Sequence, residues 1–219
     1  MLPPNAASTS SASGSPIAAA LAALKDGRMV ILVDDEDREN EGDLVLPAQF
    51  ITPDAVNFML KEARGVLCVA LTADACDRLQ LYPQAPINTA PLGTAFTISV
   101  DAHPKFGIST GVSSAERSTT IKLLADPATQ PADLSRPGHI FPLRARPGGV
   151  LERAGQTEGS VDLCRLAGLA PAAVIIEIMA DDGSMARLPA LRAFSQKHDI
   201  PLCSIADLIQ FRLQRDTLI

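Results

Sequence analysis

Met29-Val30-Ile31-Leu32-Val33-Asp34-Asp35-Glu36-Asp37-Arg38-Glu39-Asn40-Glu41-Gly42-Asp43-Leu44-Val45-Leu46 is the stretch from which the rest of the chain can be read. Residues 29–33 form an unbroken apolar run of strand length, and 44–46 begin a second. Between them lies a loop dense in carboxylates, with one Arg and one Gly among them. A run of like charge is usually a solvated loop. This one is held at the end of a buried strand, where open α/β sheets bind their ligands. A dense carboxylate cluster there suits a hard cation such as Mg²⁺. The stretch therefore points to metal-assisted chemistry on an oxygen-rich, phosphorylated small molecule.

Outward from this centre, helical and strand patterns alternate. Ser15 caps a helix that has Pro16 at its first position and Gly27 as its stop. Thr52-Pro53 opens another helix, to about Arg64, and Gly65 leads into the strand Val66–Leu71. Thr72 starts a short helix ending near Leu81, the Pro-containing segment 82–95 is a loop, and Phe96–Val100 alternates like a strand. Residues 101–120 read as a second polar loop, and 125–149 are rich in Pro and Gly. Thr157 caps a helix to about Leu166, Ala173–Ile178 is a buried strand, Pro189 begins a helix, and Pro201–Ser204 leads to a last one near Ala206–Leu213. The expected fold is α/β (α+β), a single three-layer domain over residues 16–215 with a central mixed sheet and helices on both faces. Residues 1–15, all Ser, Ala, Pro and small polar types apart from two apolar side chains at the start, read as a disordered tail.

The composition sets bounds. At 219 residues with 47% hydrophobic content the chain can bury a real core. No apolar run approaches the roughly 20 residues that cross a bilayer, and the N-terminus lacks the pattern of a secretory signal. A net charge of −6 argues against nucleic acid as the main partner. Cys68, Cys76, Cys164 and Cys203 are scattered without CxxC pairing and read as buried thiols of a cytoplasmic protein. Against the acidic background, Arg136, Arg144, Arg146 and Arg153 lie within eighteen positions, a local basic patch suited to a small anion.

Individual residues then suggest chemistry. Glu177 ends an apolar strand, where burial would raise its pKa toward that of a general acid/base, although an exposed strand-end Glu fits the sequence equally. His139, in Arg136-Pro137-Gly138-His139, sits in a loop stiffened by Pro and Gly and is the best acid/base candidate of three histidines. His198, at a polar helix end, reads as a surface residue, and His103 goes either way. Arg153, Gly155 and Thr157 just before a helix N-terminus would make a phosphate site, with the hydroxyl-rich loop Ser109-Thr110-Gly111-Val112-Ser113-Ser114 as an adjunct.

In order and spacing, the segments 34–48 (DDEDRENEGDLVLPA), 109–120 (STGVSSAERSTT), 136–145 (RPGHIFPLRA), 148–158 (GGVLERAGQTE) and 181–187 (DDGSMAR) resemble those of 3,4-dihydroxy-2-butanone 4-phosphate synthase, an enzyme of riboflavin biosynthesis. The similarity runs from about residue 16 to about residue 213. It implies a lyase that turns ribulose 5-phosphate into 3,4-dihydroxy-2-butanone 4-phosphate and formate with Mg²⁺, Mn²⁺ being the alternative cation. It implies Glu39 as a metal ligand, Arg38 and Asp43 as contacts to the sugar phosphate, and Arg153, Ala154, Gly155, Gln156 and Thr157 as the phosphate- and substrate-binding segment. Thr110 joins the substrate contacts, and His139 and Glu177 are implied as essential for catalysis. A homodimer with active sites near the subunit interface is also implied, with neither nucleic acid nor membrane as partner. One position departs from the pattern: the family reads Gly-His-Thr-Glu where this chain has Gly155-Gln156-Thr157-Glu158, and the family's His is its second metal ligand. An amide oxygen can ligate Mg²⁺ but cannot take a proton as imidazole does. The alternative reading is thus a catalytically impaired relative that binds sugar phosphate. A fused GTP cyclohydrolase II domain, carried by some relatives, is not expected, because no zinc-type cysteine cluster is present.

Overall fold

The computed structural model describes residues 14–216, so most of the tail expected at 1–15 lies outside the described residues. The strands are β1 (Val30–Val33), β2 (Gly42–Pro47), β3 (Cys68–Leu71), β4 (Val100–Ala102), β5 (Leu134–Arg144), β6 (Ala172–Glu177) and β7 (Leu202–Ser204). They make one mixed sheet in the order β4-β5-β3-β6-β2-β1-β7. The helices are α1 (Pro16–Lys25), α2 (Pro53–Phe58), α3 (Ala73–Arg78), α4 (Ser114–Ala125), α5 (Gln156–Leu166), α6 (Leu188–His198) and α7 (Ile205–Asp216).

Alternation along the strands divides the core into two layers. Ile31, Val33, Leu44, Leu46, Val174 and Ile176 point toward one cluster, where they meet α2, α3, α4 and α6. Val30, Leu32, Val45, Ala173 and Ile175 point toward the other, against α1, α5 and α7. A sheet apolar on both faces must be covered on both, and the three-layer α/β architecture expected from the sequence is the one observed. Local signals hold where they were strongest. Ser15, Thr52 and Thr72 each accept a hydrogen bond from the backbone N–H three residues on, as N-caps do.

Other expectations fail for identifiable reasons. The supposed polar loop 101–120 holds the first part of α4, opened by a capping box between Ser113 and Glu116. The buried residues of α4 include Ser118 and Thr120 beside Ile121 and Leu124, so no apolar stripe reveals the helix. The Pro- and Gly-rich segment contains β5, which pairs with β3 over Phe141–Arg144 and with β4 nearer its start; its prolines mask it as a loop. His139 is therefore on a strand. In the run Phe96–Val100 only Val100 joins a strand. Thr97 donates to Pro142 O, but Pro142 has no N–H to return a bond, so the ladder stops at isolated bridges. The helix at 156 is capped by Gly155, and Thr157 is its second residue rather than its cap. His198 is not a surface residue: its ring packs on Phe58 and Phe194, with centroids 5.2 and 4.4 Å away.

Candidate active site

Asp43 lies two residues before Val45, and Glu177 two residues after Ile175. By strand alternation both turn toward the α5 side of the sheet. The β2–β6 register places them opposite one another. The first turn of α5 arrives at the same point, and together they enclose a cleft of about 160 Å³. It is lined by Arg38, Glu39, Glu41, Asp43, Arg153, Gln156, Thr157 and Glu177, with Cys68, Thr94 and Phe96 as further walls. Residues separated by more than a hundred positions thus meet at strand ends, where the α/β rule expects a ligand.

Asp34 organises the acidic loop. Its carboxylate is buried and accepts the backbone N–H groups of Glu39 (3.1 Å) and Glu41 (2.8 Å). Arg187 reaches across from the segment before α6 and donates to the carbonyls of Glu39 and Asn40. At the centre, Arg38 Nη1 donates to three oxygens: Asp34 Oδ2 (2.8 Å), Glu39 Oε2 (2.6 Å) and Gln156 Oε1 (2.8 Å). A single positive nitrogen therefore marks the point on which both expected metal ligands, Glu39 and Gln156, converge.

The rest of the cleft is short of positive charge. Asp43 is buried, and desolvation, reinforced by the charges of Glu177, Glu39, Glu41 and Asp34, holds its carboxyl well above the usual carboxylate range. Glu41 is raised for the same reasons, burial first and then Glu39 and Glu177. The sequence left open whether Glu177 is buried or exposed; it is partly buried, and Asp43 is the more enclosed carboxyl. Asp43 Oδ1 and Gln156 Nε2 are buried and have no hydrogen-bond partner. Buried polar atoms are rarely left so, and these two wait on something that enters the cleft. Glu177 Oε2 accepts the Val66 N–H at 2.8 Å, which fixes the side chain and leaves its second oxygen for other work.

At α5, Gly155 offers no side-chain cap, so the first amides of an eleven-residue helix have no side-chain acceptor. An uncapped helix start binds anions well. Arg153 stands beside it, paired with Glu158 at 2.7 Å and donating to Thr94 Oγ1 at 3.0 Å. Ala154 is exposed in the turn that delivers Gln156 and Thr157. The basic patch is not assembled: Arg136 donates to backbone carbonyls of Leu79, Pro131 and Leu134, and Arg144 is paired with Asp77. Of those four arginines, Arg153 alone lines the cleft.

His139 and Thr110 lie outside this cleft, and both are exposed. His139 Nδ1 is 2.7 Å from Asp101 Oδ2, and its own N–H donates to Asp101 Oδ1 at 2.9 Å. The Thr110 loop is tied down by Glu116, which accepts from Ser109 and Ser113. Sequence reading missed Asp34, Asp101 and Glu116. A carboxylate directly after a strand (Asp34) and the S-x-x-E spacing from Ser113 were available as signals. Asp101 had none beyond being a lone acid beside an apolar run.

Two alternatives for the site are weaker. A larger cavity of about 710 Å³ lies under residues 82–97, but its walls are mainly apolar and its one ion pair, Asp77–Arg144, is already satisfied. The cysteines are buried and free among the described residues. Burial pushes the thiols of Cys76, Cys164 and Cys203 up to about 12, and that of Cys68 up as well, so none is a nucleophile. Among the described residues no helix is long and apolar enough to cross a membrane.

Comparison with known proteins fits this geometry. The family profile of 3,4-dihydroxy-2-butanone 4-phosphate synthase matches residues 18–211. The riboflavin biosynthesis protein RibBA of Aquifex aeolicus is 59% identical over 196 residues, 90% of this chain and 48% of the relative. The 3,4-dihydroxy-2-butanone 4-phosphate synthase of Neisseria meningitidis serogroup B is 50% identical over 205 residues, 94% of this chain and 56% of the relative. The chain thus spans about half the length of these curated relatives. A solved 3,4-dihydroxy-2-butanone 4-phosphate synthase in complex with two magnesium ions superimposes with a TM-score of 0.86 at 39% identity, covering 91% of this chain and 97% of the other.

Proposed function

The chain belongs to the 3,4-dihydroxy-2-butanone 4-phosphate synthase family, and on that footing we propose that it converts ribulose 5-phosphate into 3,4-dihydroxy-2-butanone 4-phosphate and formate, with Mg²⁺ or Mn²⁺, in riboflavin biosynthesis. The observation that carries the reading is the convergence of Arg38, Glu39, Asp43, Gln156, Thr157 and Glu177 on one cleft with buried, unpartnered polar atoms.

The residues fit a divalent cation. Among the described residues no three His, Cys, Asp or Glu side chains are grouped to hold a metal. Mg²⁺ commonly needs only one or two protein oxygens, with water and substrate completing its shell. Glu39 and Gln156 already aim oxygens at one cationic nitrogen, so they are the residues that would hold it. When bound, the cation supplies Lewis-acid stabilisation of developing enediolate oxygens. Around it, the α5 amides, Thr157 and Arg153 bind the phosphate, and Arg38 and Asp43 orient the sugar hydroxyls. Glu177, fixed by the Val66 N–H, moves protons on its second oxygen. Asp43, whose carboxyl burial and then the neighbouring carboxylates hold above its usual range, faces the same space.

His139 and Thr110 enter through a second copy of the chain. In this reading the enzyme is a homodimer, and each subunit brings these two residues to the other's cleft. The exposed apolar side chains Val66, Leu92, Phe106 and Val112 fit such a covered surface. The catalytic unit spans residues 16–215, and the free buried thiols suit the cytoplasm. An impaired relative is not favoured, because Gln156 keeps its oxygen directed at the point Glu39 also meets.

The direct test is formate release from ribulose 5-phosphate with and without Mg²⁺, for the native chain and Gln156→His. Mg²⁺-dependent formate from the native chain is expected; its absence there and appearance in the His variant would establish the impaired relative. Subunit sharing is tested by mixing inactive His139→Gln with inactive Glu177→Gln. Heterodimers would regain one intact site each, so roughly a quarter of wild-type activity should return in an equal mixture. No recovery after subunit exchange would place His139 in its own chain's site.

A further inference from the structure

We propose that Asp101 is the positioning residue of His139: its carboxylate fixes the imidazole as the Nδ1–H tautomer and turns Nε2 outward as the atom that exchanges protons with substrate. The proposal rests on the reading of His139 as a catalytic residue.

Three features of the fold point the same way. First, Asp101 grips His139 twice, accepting the backbone N–H on Oδ1 at 2.9 Å and the ring on Oδ2 at 2.7 Å. A carboxylate that served only to hold the strand would need the first bond alone. The second uses the remaining oxygen on the ring and leaves Nε2 as the free nitrogen of an exposed side chain. Second, the β4–β5 register slips between Val100 and Asp101. A bulge at this place re-aims the side chain that follows it, and here that side chain is Asp101. Third, two glycines allow the close approach that sets Asp101 in place, Gly111 against its carboxylate and Gly138 against the Val100–Asp101 backbone. A Cβ on Gly111 would stand 2.3 Å from Asp101 Oδ2, and one on Gly138 would stand 2.1 Å from Asp101 N. Gly111 also holds φ +82°, a conformation side chains rarely adopt. Gly111 therefore makes room for the acid and Gly138 for the backbone that carries it, and the acid is itself largely buried while the His it holds is exposed.

The chemical reason is general. Neutral imidazole has two tautomers, and the partner of one nitrogen decides which proton state the other presents. A carboxylate on Nδ1 leaves Nε2 as the base and stabilises the imidazolium that forms when it takes a proton.

Nitrogen NMR on protein labelled at histidine reads the tautomer directly, with the His139 signals assigned by their loss in His139→Gln. The native protein is expected to show Nδ1 protonated and Nε2 as the bare nitrogen when the ring is neutral. Asp101→Asn, whose amide can donate to the ring, is expected to shift His139 toward the other tautomer. Its kcat should fall by on the order of 10²-fold with KM nearly unchanged. A native His139 protonated on Nε2 would overturn the proposal without any variant of Asp101. So would an Asp101→Asn enzyme with unaltered kcat beside an inactive His139→Gln. Full activity in His139→Gln would instead overturn the role of His139 itself, and the positioning role with it.

Discussion

In the cleft at the ends of β2 and β6, Glu39, Glu41, Asp43 and Glu177 share one space with Arg38 and Arg153, and buried atoms of Asp43 and Gln156 have no partner among the described residues. On the β4–β5 face, by contrast, both oxygens of Asp101 and both of Glu116 accept hydrogen bonds. The first region leaves buried polar atoms unpaired within the chain, and the second pairs its acids internally. Both carry acids, but the cleft holds them away from water without enough positive charge, while the other face gives each acid its donors. A region of the first kind costs stability and gains it back on binding. A region of the second kind fixes a geometry in advance.

The contrast breaks most visibly in activity. Glu39→Gln should abolish Mg²⁺-dependent turnover, and Glu177→Gln should lower kcat by roughly 10²–10⁴-fold. Circular dichroism and thermal melts should show both variants folded, since each removes charge from a crowded acidic site. Either variant at full rate would end the assignment of the cleft as the catalytic centre.

On the finished face the larger effect should be on stability. Gly111→Ala combines a positive φ with a collision on Asp101, and denaturant titration should show a loss of roughly 1–3 kcal/mol. Gly93→Ala is the control, with φ +63° but open space around the site, and should cost about 1 kcal/mol. Equal losses would mean that the approach of Gly111 to Asp101 is not the constraint it looks.

The two regions should also answer pH with opposite signs. Asp43 has a folded-state pKa above its unfolded value. The unfolded chain gives up that proton first as pH rises, so the cleft's penalty is absent below the unfolded pKa and grows with pH above it. Asp43→Asn should therefore raise the melting temperature, more at about pH 8 than at about pH 4. Glu116 is the reverse case. Hydrogen bonds from Ser109 and then Ser113 lower its pKa to about 2. Its support of the 109–113 loop is full above the unfolded pKa and is lost as pH falls through about 2. Carboxyl NMR titration should find Glu116 ionised well below the range of the other exposed carboxylates, the smallest of these effects.

Legibility followed the range of the interactions. Ser15, Thr52 and Thr72 cap their helices through contacts three residues long, and the acidic loop is flanked by the apolar runs 30–33 and 44–46, so both were plain in the sequence. α4 was hidden because Ser118 and Thr120 take buried places that a helix pattern expects to be apolar. β5 was hidden because Pro137, Gly138 and Pro142 carry loop chemistry into a strand. The cleft residues were named through the ordered motifs, but the sequence left the burial of Glu177 open and gave no sign that Asp43 is the more enclosed carboxyl.

By itself the sequence determined the α/β alternation, the capped helices and a carboxylate loop placed at the end of a buried strand. Those follow from local backbone preference and from apolar periodicity, which are written within a few residues. Tertiary structure alone decided that Asp43 faces Glu177, that Arg38 joins Glu39 to Gln156, and that His139 meets Asp101 outside the cleft. The first and last depend on strand register, where a slip of one residue turns a side chain to the opposite face of the sheet, and the second depends on how α5 docks beside the acidic loop. That register is set by the packing of the two cores as a whole, which no short segment encodes.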